Sequence, residues 1–194
     1  MASGDEEVRK RARAGVEAMF ERCRLLSNMR PEGHKSFDYD VTTNLKLIDA
    51  TPDGRVEYEF TIPNHFSNLN NVMLGGAAGI IFDVTTTTAL GTIARHGFWD
   101  YLGGVSRILN VSFLKAVPLG ETVKIKSCVI QAGKTMCMIR GEMNSMDGKT
   151  TYCTAEHHKV AAPAIPQHAA VRIKWDEEQE ELAAQKVAEM KGKL

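Results

Sequence analysis

From residue 67 to residue 93 the sequence carries one ionisable side chain, Asp83, set within Ile80-Ile81-Phe82-Asp83-Val84. Such a carboxylate has two readings. It faces solvent or caps a neighbouring loop, as most helical aspartates do. Alternatively it is buried for a purpose, because taking a carboxylate out of water is costly unless it is paired or protonated. Desolvation would then raise its pKa toward what a general base needs near neutrality. The segment offers no polar face apart from the threonines at 85–88, so the functional reading is preferred.

Eight residues earlier stands Gly75-Gly76, where a helix should begin. Free N–H groups and the positive dipole end converge at a helix N-terminus, and glycine lets a substrate carbonyl approach closely. Taken alone, a glycine pair is equally well explained by close helix packing. Eight residues of helix rise about 12 Å, so a carbonyl held at Gly75 does not meet Asp83 of the same chain. Two subunits packed antiparallel would bring one glycine to the other's aspartate.

Other chemistries find little support. There is no G-x-S-x-G, and Cys23, Cys128, Cys137 and Cys153 are scattered without metal-ligand spacing, which reads as small apolar residues in a reducing compartment. The six histidines (His34, His65, His96, His157, His158, His168) show no metal spacing and none that pairs them with Asp83. His157-His158, at a strand end, is expected to be exposed. Gly133-Lys134-Thr135 ends like a phosphate-binding loop but lacks the upstream glycine, so it reads as a hairpin turn. Lys plus Arg and Asp plus Glu are both 24, which argues against a general polyanion binder such as a nucleic-acid protein. The first residues lack a basic segment followed by an apolar core. Residues 72–94 are too rich in threonine and glycine for a membrane span.

The elements that must position these residues follow from periodicity. Val8, Ala12, Val16, Met19, Phe20, Cys23 and Leu26 fall at helical spacing. Val41, Thr43, Leu45 and Leu47 alternate as a strand, Thr51-Pro52-Asp53-Gly54 forms a turn, and Val56, Tyr58, Phe60 and Ile62 alternate again, completing a hairpin. A largely buried helix runs from Gly75 to about Gly97. Strands follow at about 105–113, 122–132, 135–144 and 149–160, with short connections that predict antiparallel neighbours. Beyond the linker at Pro163 and Pro166, acidic residues 176–181 precede Lys186, Lys191 and Lys193, an order that suits a helix dipole. That terminal helix should lie on the surface, with a possible part in oligomer contacts. The expected division is 1–36 N-terminal helix, 37–162 main domain and 163–194 linker and helical tail. The fold class is α+β, an antiparallel sheet curled around the central helix. The other face of that sheet would need cover, favouring self-association.

Asn68, Gly75-Gly76 and Asp83, followed by Gly104-Val105-Ser106 and Gly133-Lys134-Thr135, resemble the PaaI-like hotdog thioesterases, nearest the small eukaryotic acyl-CoA thioesterases with a single hotdog domain. The resemblance spans residues 41–160. It implies a homodimer, often a homotetramer, with active sites at subunit interfaces. Gly75 N–H would polarise the thioester carbonyl, and Asp83 of the other chain would act as general base or nucleophile. Ser106 would orient the water and Asn68 the water or carbonyl; strand-edge and loop hydrogen bonding explain those two residues equally well. The coenzyme A portion would run along Gly76, Ile108, Phe113, Leu114, Lys115, Ala116, Val117 and Pro118, then Gln131, Gly133, Lys134 and Thr135. Lys115, Lys134 and Lys159 read either as phosphate partners or as solvated surface lysines. Where the family usually has histidine this chain has Leu74, which removes the imidazole and keeps the backbone donor.

The function so implied is hydrolysis of medium- to long-chain acyl-CoA to a free acid and coenzyme A, without metal or cofactor, in cytoplasm or mitochondrion. A non-catalytic acyl-CoA-binding or scaffold protein on the same fold is the alternative, motivated by Leu74 and the unmatched tail. A hydratase or dehydratase ranks last, since that chemistry wants an aspartate–histidine pair.

Overall fold

Val56, Tyr58 and Phe60 alternate with Arg55, Glu57 and Glu59, and in the computed structural model, which describes residues 2–191, the first set is buried. They belong to β2 (Arg55–Thr61), paired antiparallel with β1 (Lys46–Ala50). In the turn between them Thr51 N–H donates to the Arg55 carbonyl at 2.8 Å. Gly54 has φ +93°, a conformation that only glycine adopts freely. The strand expected from Val41 starts later. Tyr39–Asn44 is a short helix, α2. The Thr42 and Thr43 hydroxyls and the Asn44 amide donate to carbonyls one turn back, at Asp38, Tyr39 and Asp40. Those local bonds hold the helical turn despite the alternating pattern.

The sheet has six antiparallel strands in the order β1-β2-β4-β5-β6-β3, with β3 at Val105–Phe113, β4 at Thr122–Ala132, β5 at Met136–Ser145 and β6 at Thr151–Val160. The β4–β5 and β5–β6 hairpins are as expected, with Gly133-Lys134 turning the first. The neighbour rule fails at β3. It pairs with β6, not β4, because the connection 114–121 crosses to the far side of the sheet. That connection is tied down on the way: Met73 N–H donates to the Val117 carbonyl, and Ile62 N–H to that of Glu121.

Inside the curl lies α3 (Gly75–Ala89), burying Ala77, Ala78, Ile81, Phe82, Val84, Thr85, Thr86 and Thr88. It stops well short of residue 97, followed by a single 3-10 turn, Leu90–Thr92. The turn carries Gly91 against Gly15 of α1 (Ala2–Asn28) so closely that a Cβ on Gly91 would lie 2.5 Å from the Gly15 carbonyl oxygen. Apolar composition has no means of marking that stop.

The tail forms α4 (Pro166–Ala169) and α5 (Lys174–Lys191). Arg22, buried in α1, donates to the Val171 carbonyl at 2.9 Å and to Asp176 at 3.0 Å, and Arg11 donates to Gln179 at 2.7 Å. The tail thus docks on its own protomer. Met1 and Lys193, assigned above to the terminal helices, lie outside the described residues.

The outer sheet face is already solvated by charge. Glu57 stands opposite Lys126, Lys126 opposite Glu142, and Arg140 opposite Glu156, with Lys124 3.0 Å from Glu57. The expectation that this face needs cover is therefore corrected. Cross-strand pairs of opposite sign stabilise it in water.

Candidate active site

Gly75 opens α3, and the N-cap Leu74 has no side-chain oxygen to cap it. The Ala77 N–H donates to the Leu74 carbonyl at 2.9 Å. Among the described residues nothing accepts from Gly75 or Gly76 N–H, so both remain open for a ligand. The Phe113 ring closes one side: a Cβ on Gly75 would sit 3.3 Å from it. Asn68 bends the preceding loop, its Oδ1 accepting Asn70 N–H at 2.8 Å while Leu74 N–H donates to the Phe66 carbonyl at 2.7 Å. Its side-chain oxygen thus serves the loop, and its amide nitrogen has no acceptor among the described residues.

Two turns along α3, Asp83 occupies a stripe with Gly76, Gly79, Ile80 and Thr87 that the protomer leaves partly open. Its side chain is 49 % exposed, which corrects the expectation of a carboxylate buried within one chain. Ser106 of β3 donates to Asp83 Oδ1 at 2.7 Å. Behind Ser106 stand two β6 side chains, His157 with Nε2 at 2.9 Å and Lys159 with Nζ at 3.3 Å. His157 also bonds Thr86 of α3 through Nδ1 at 2.6 Å.

His157 is fully buried and its Nε2 lies 3.6 Å from Asp83, so two expectations are corrected. It is not exposed at a strand end, and an aspartate–histidine pair does exist. The pairing of β3 with β6 brings together residues whose sequence separation hides their contact. Burial, together with the Lys159 ammonium, pushes its pKa down to about 4 against the opposing pull of Asp83, so the ring is neutral at physiological pH. Both ring nitrogens are engaged and the ring is shut off from solvent. A hydratase-like proton transfer to substrate has no room at His157.

Lys159 is 3 % exposed and directed at Ser106, which excludes it as a surface phosphate partner. Burial lowers its pKa, with Asp83 and Cys137 acting the other way. The missed signal was period-two alternation. Cys153, Ala155, His157 and Lys159 all point inward along β6, so any polar residue continuing that series had to meet α3. Val117 is likewise in the core, 2 % exposed, with its carbonyl taken by Met73 N–H.

The remaining residues that the resemblance implies for coenzyme A are exposed or half-buried but divided. Phe113, Leu114, Lys115, Ala116 and Pro118 lie with Gly75 and Gly76 at one end of the sheet, where Phe113 pairs with Cys153. Gln131, Gly133, Lys134 and Thr135 lie at the other, where Met136 and Val105 both pair with Val160. Ile108 falls next to the Ser106 end. One protomer thus does not unite the glycine N–H groups with Asp83, nor the two halves of that strip.

Among the described residues no His, Cys, Asp and Glu group is arranged to hold a metal, and no helix is long and apolar enough to cross a membrane. The cysteines are unpaired, and burial raises the Cys137 and Cys153 thiols to about 11 each, so neither is a ready nucleophile.

Residues 70–152 match the thioesterase superfamily. Human acyl-coenzyme A thioesterase 13 is 27 % identical over 110 residues, 56 % of this chain and 74 % of that protein. Among solved structures, zebrafish thioesterase superfamily member 2 superposes with a TM-score of 0.58 at 21 % identity, covering 67 % of this chain and 89 % of that one. A hypothetical thioesterase from Streptococcus pneumoniae, solved with coenzyme A, gives 0.53 at 20 %, covering 63 % and 92 %. The fold shared with these structures is the hotdog fold.

Proposed function

We propose that this chain, whose residues 70–152 form a thioesterase-superfamily domain on a hotdog fold, hydrolyses acyl-CoA thioesters in a site completed by a second copy of itself. The observation that carries the reading is Asp83 hydrogen-bonded to Ser106 on a partly open helix face. Asp83 takes a proton from water as it attacks the thioester carbonyl, and Ser106 holds the carboxylate in place. Gly75 N–H stabilises the oxyanion, for which one backbone donor contributes about 3–4 kcal/mol. The tetrahedral intermediate then collapses with cleavage of the C–S bond, and Asp83 returns the proton to the departing thiolate, releasing the coenzyme A thiol and the free acid. The relative's name, acyl-coenzyme A thioesterase 13, and the coenzyme A in the streptococcal structure support the substrate class.

The second copy follows from the edge. β3 ends the sheet with its outer N–H and C=O groups unpaired, and Val105, Ile108 and Phe113 are exposed along it. A long apolar edge is a template for another strand. Within the protomer, Phe113 lies beside Gly75 and Ser106 beside Asp83. A two-fold, antiparallel β3–β3 pairing about the strand's midpoint sets the Phe113 end of one copy opposite the Ser106 end of the other. Gly75 of one chain then meets Asp83 of its partner. Residues 113–118 likewise join residues 131–135 into one coenzyme A strip, with Lys115 and Lys134 flanking it. Medium- to long-chain acyl groups remain the proposed preference.

Asp83→Asn tests the reading. With acyl-CoA chains of graded length and thiol detection, turnover should fall by a factor of roughly 10² or more, with the dimer intact. Undiminished turnover would remove the mechanism, and tight binding by the wild-type protein with no thiol release would favour the non-catalytic scaffold that Leu74 suggested.

A further inference from the structure

Glycine inside a helix weakens it relative to alanine, so a helical glycine calls for a reason. Most glycines of this chain have one within the protomer. Gly33, Gly97, Gly120 and Gly148 take positive φ, and at Gly15, Gly91 and Gly141 a Cβ would strike a neighbouring element. Gly79, in the middle of α3, has neither reason. Its backbone is ordinary helix, and a Cβ there would meet nothing among the described residues within 4 Å.

Its place on α3 is particular. Gly75 lies four residues before it and Asp83 four after, each about 6 Å along the helix. The proposed reaction sets Gly75 of each chain opposite Asp83 of the partner subunit. Two antiparallel α3 helices related by a two-fold axis satisfy both pairs when the axis passes at residue 79. Positions equally far from 79 then face each other, and Gly79 faces its own copy. The free edge of the sheet agrees. Gly75 lies beside Phe113 and Asp83 beside Ser106, so exchanging the two ends of β3 also exchanges Gly75 with Asp83.

The chemistry demands a close approach at that axis. A thioester carbonyl on Gly75 N–H and a water on Asp83 each occupy a hydrogen bond of about 3 Å. The helices must therefore run side by side near the short end of the usual interaxial range of about 8–10 Å. A residue on the axis meets its own image, so any side chain there counts twice. Gly79 leaves that place empty.

We infer that Gly79 is the crossing point of the two α3 helices in the active dimer, its missing side chain setting the gap between one chain's oxyanion donor and the other's base. It is a positioning residue, touching neither substrate nor reacting atoms. The inference rests on the two-chain reading of the site given above. It adds where the helices meet and what fixes their separation.

A cysteine on the axis tests it. In the full chain, Gly79→Cys should link the two copies under mild oxidation, since a disulfide joins Cα atoms about 4.4–6.8 Å apart. Non-reducing electrophoresis reads the link, with the wild type as baseline for its own free cysteines. Gly76→Cys, on the same stripe but about 9 Å along the helix from its copy, should stay unlinked. Gly79→Leu should lower kcat roughly tenfold or more, at concentrations where light scattering still shows a dimer. KM should stay level, because the coenzyme A strip lies at the ends of the sheet. A Gly79→Cys protein that stays unlinked overturns the inference, as does equal linking at Gly76. So does a Gly79→Leu protein that keeps its kcat on short acyl chains and loses only long ones, which would make the gap a place for the acyl chain. Linking at residue 79 in a protein whose wild type releases no thiol would sink the proposed activity and leave the crossing point standing.

Discussion

Ser106 and Asp83 meet across the seam between β3 and α3, oxygen to oxygen at 2.7 Å, where the partly open helix stripe touches the sheet's free edge. Ser106 also gives the buried His157 and Lys159 a hydrogen-bond partner. Ser106 is solvent-facing on an edge strand, and Asp83 makes no ion pair with an exposed cation among the described residues.

Ser106→Ala removes the donor that orients the carboxylate while leaving Asp83 itself in place. We expect kcat to fall roughly 10- to 100-fold, somewhat less than the loss of a direct oxyanion donor. KM should change little, since the hydroxyl lies beside the base and away from the coenzyme A strip. The melting temperature should fall by a few degrees, because the change also takes a partner from buried His157 and Lys159. Steady-state kinetics beside a melting curve separate this outcome from simple destabilisation.

How far these features are legible in the sequence depends on the range of the interaction. Asp83 stands out because its neighbours 80–84 are apolar, and the β1–β2 turn because Pro52 and Gly54 have fixed conformational preferences. Both are local. Ser106 beside His157 and Lys159 is a product of β3 leaving β4 to pair with β6, which no short-range pattern records. The α2 helix was hidden for the opposite reason, since side chain-to-backbone bonds from Thr42, Thr43 and Asn44 override an alternating pattern that suggests a strand. The end of α3 is set by contact with Gly15 on another helix. The exposure of Asp83 in a single protomer follows from an interface the chain makes only with a second copy, as proposed above.

His157 makes stability pH-dependent. Its folded-state pKa is depressed from 6.5 to about 4, chiefly by burial, so the folded protein favours the neutral ring. The unfolded chain binds the proton first as pH falls. The contribution is therefore complete above about pH 6.5, is lost progressively between about 6.5 and 4, and does not fall further below that, reaching about 3 kcal/mol at most. Denaturant midpoints measured across this range should decline for the wild type. In His157→Gln the decline over that window should be shallower.

Gly91→Ala probes the joint between α3's end and the N-terminal helix. Its Cβ would lie 2.5 Å from the Gly15 carbonyl oxygen, 2.7 Å from its carbon and 2.8 Å from the Val16 Cα. All three are backbone atoms with no rotamer to yield, so α1 must move outward. We expect a loss of about 1–3 kcal/mol, which at this chain length lowers the melting temperature by roughly 2–4 °C per kcal/mol. A variant that melts with the wild type would mean that α1 is not firmly seated. The proposed catalytic residues lie away from this joint, on α3 and β3, so kcat at low temperature should be nearly unchanged.

Ile108→Lys tests whether the active site needs two chains. Ile108 is 44 % exposed on β3, on the free edge beside the Ser106 end. In a monomer a lysine there is harmless, because its ammonium reaches water from an exposed strand. In the antiparallel pairing proposed above, it introduces two like charges close to the two-fold axis, and lysine on an edge opposes strand addition. The variant should therefore elute as a monomer in size-exclusion chromatography with light scattering, keep its circular dichroism, and lose acyl-CoA hydrolysis in proportion to the dimer lost. Raising protein concentration should restore both together. A folded monomer that retains full activity per chain would require Gly75 and Asp83 to act within one protomer, against the two helical turns that separate them.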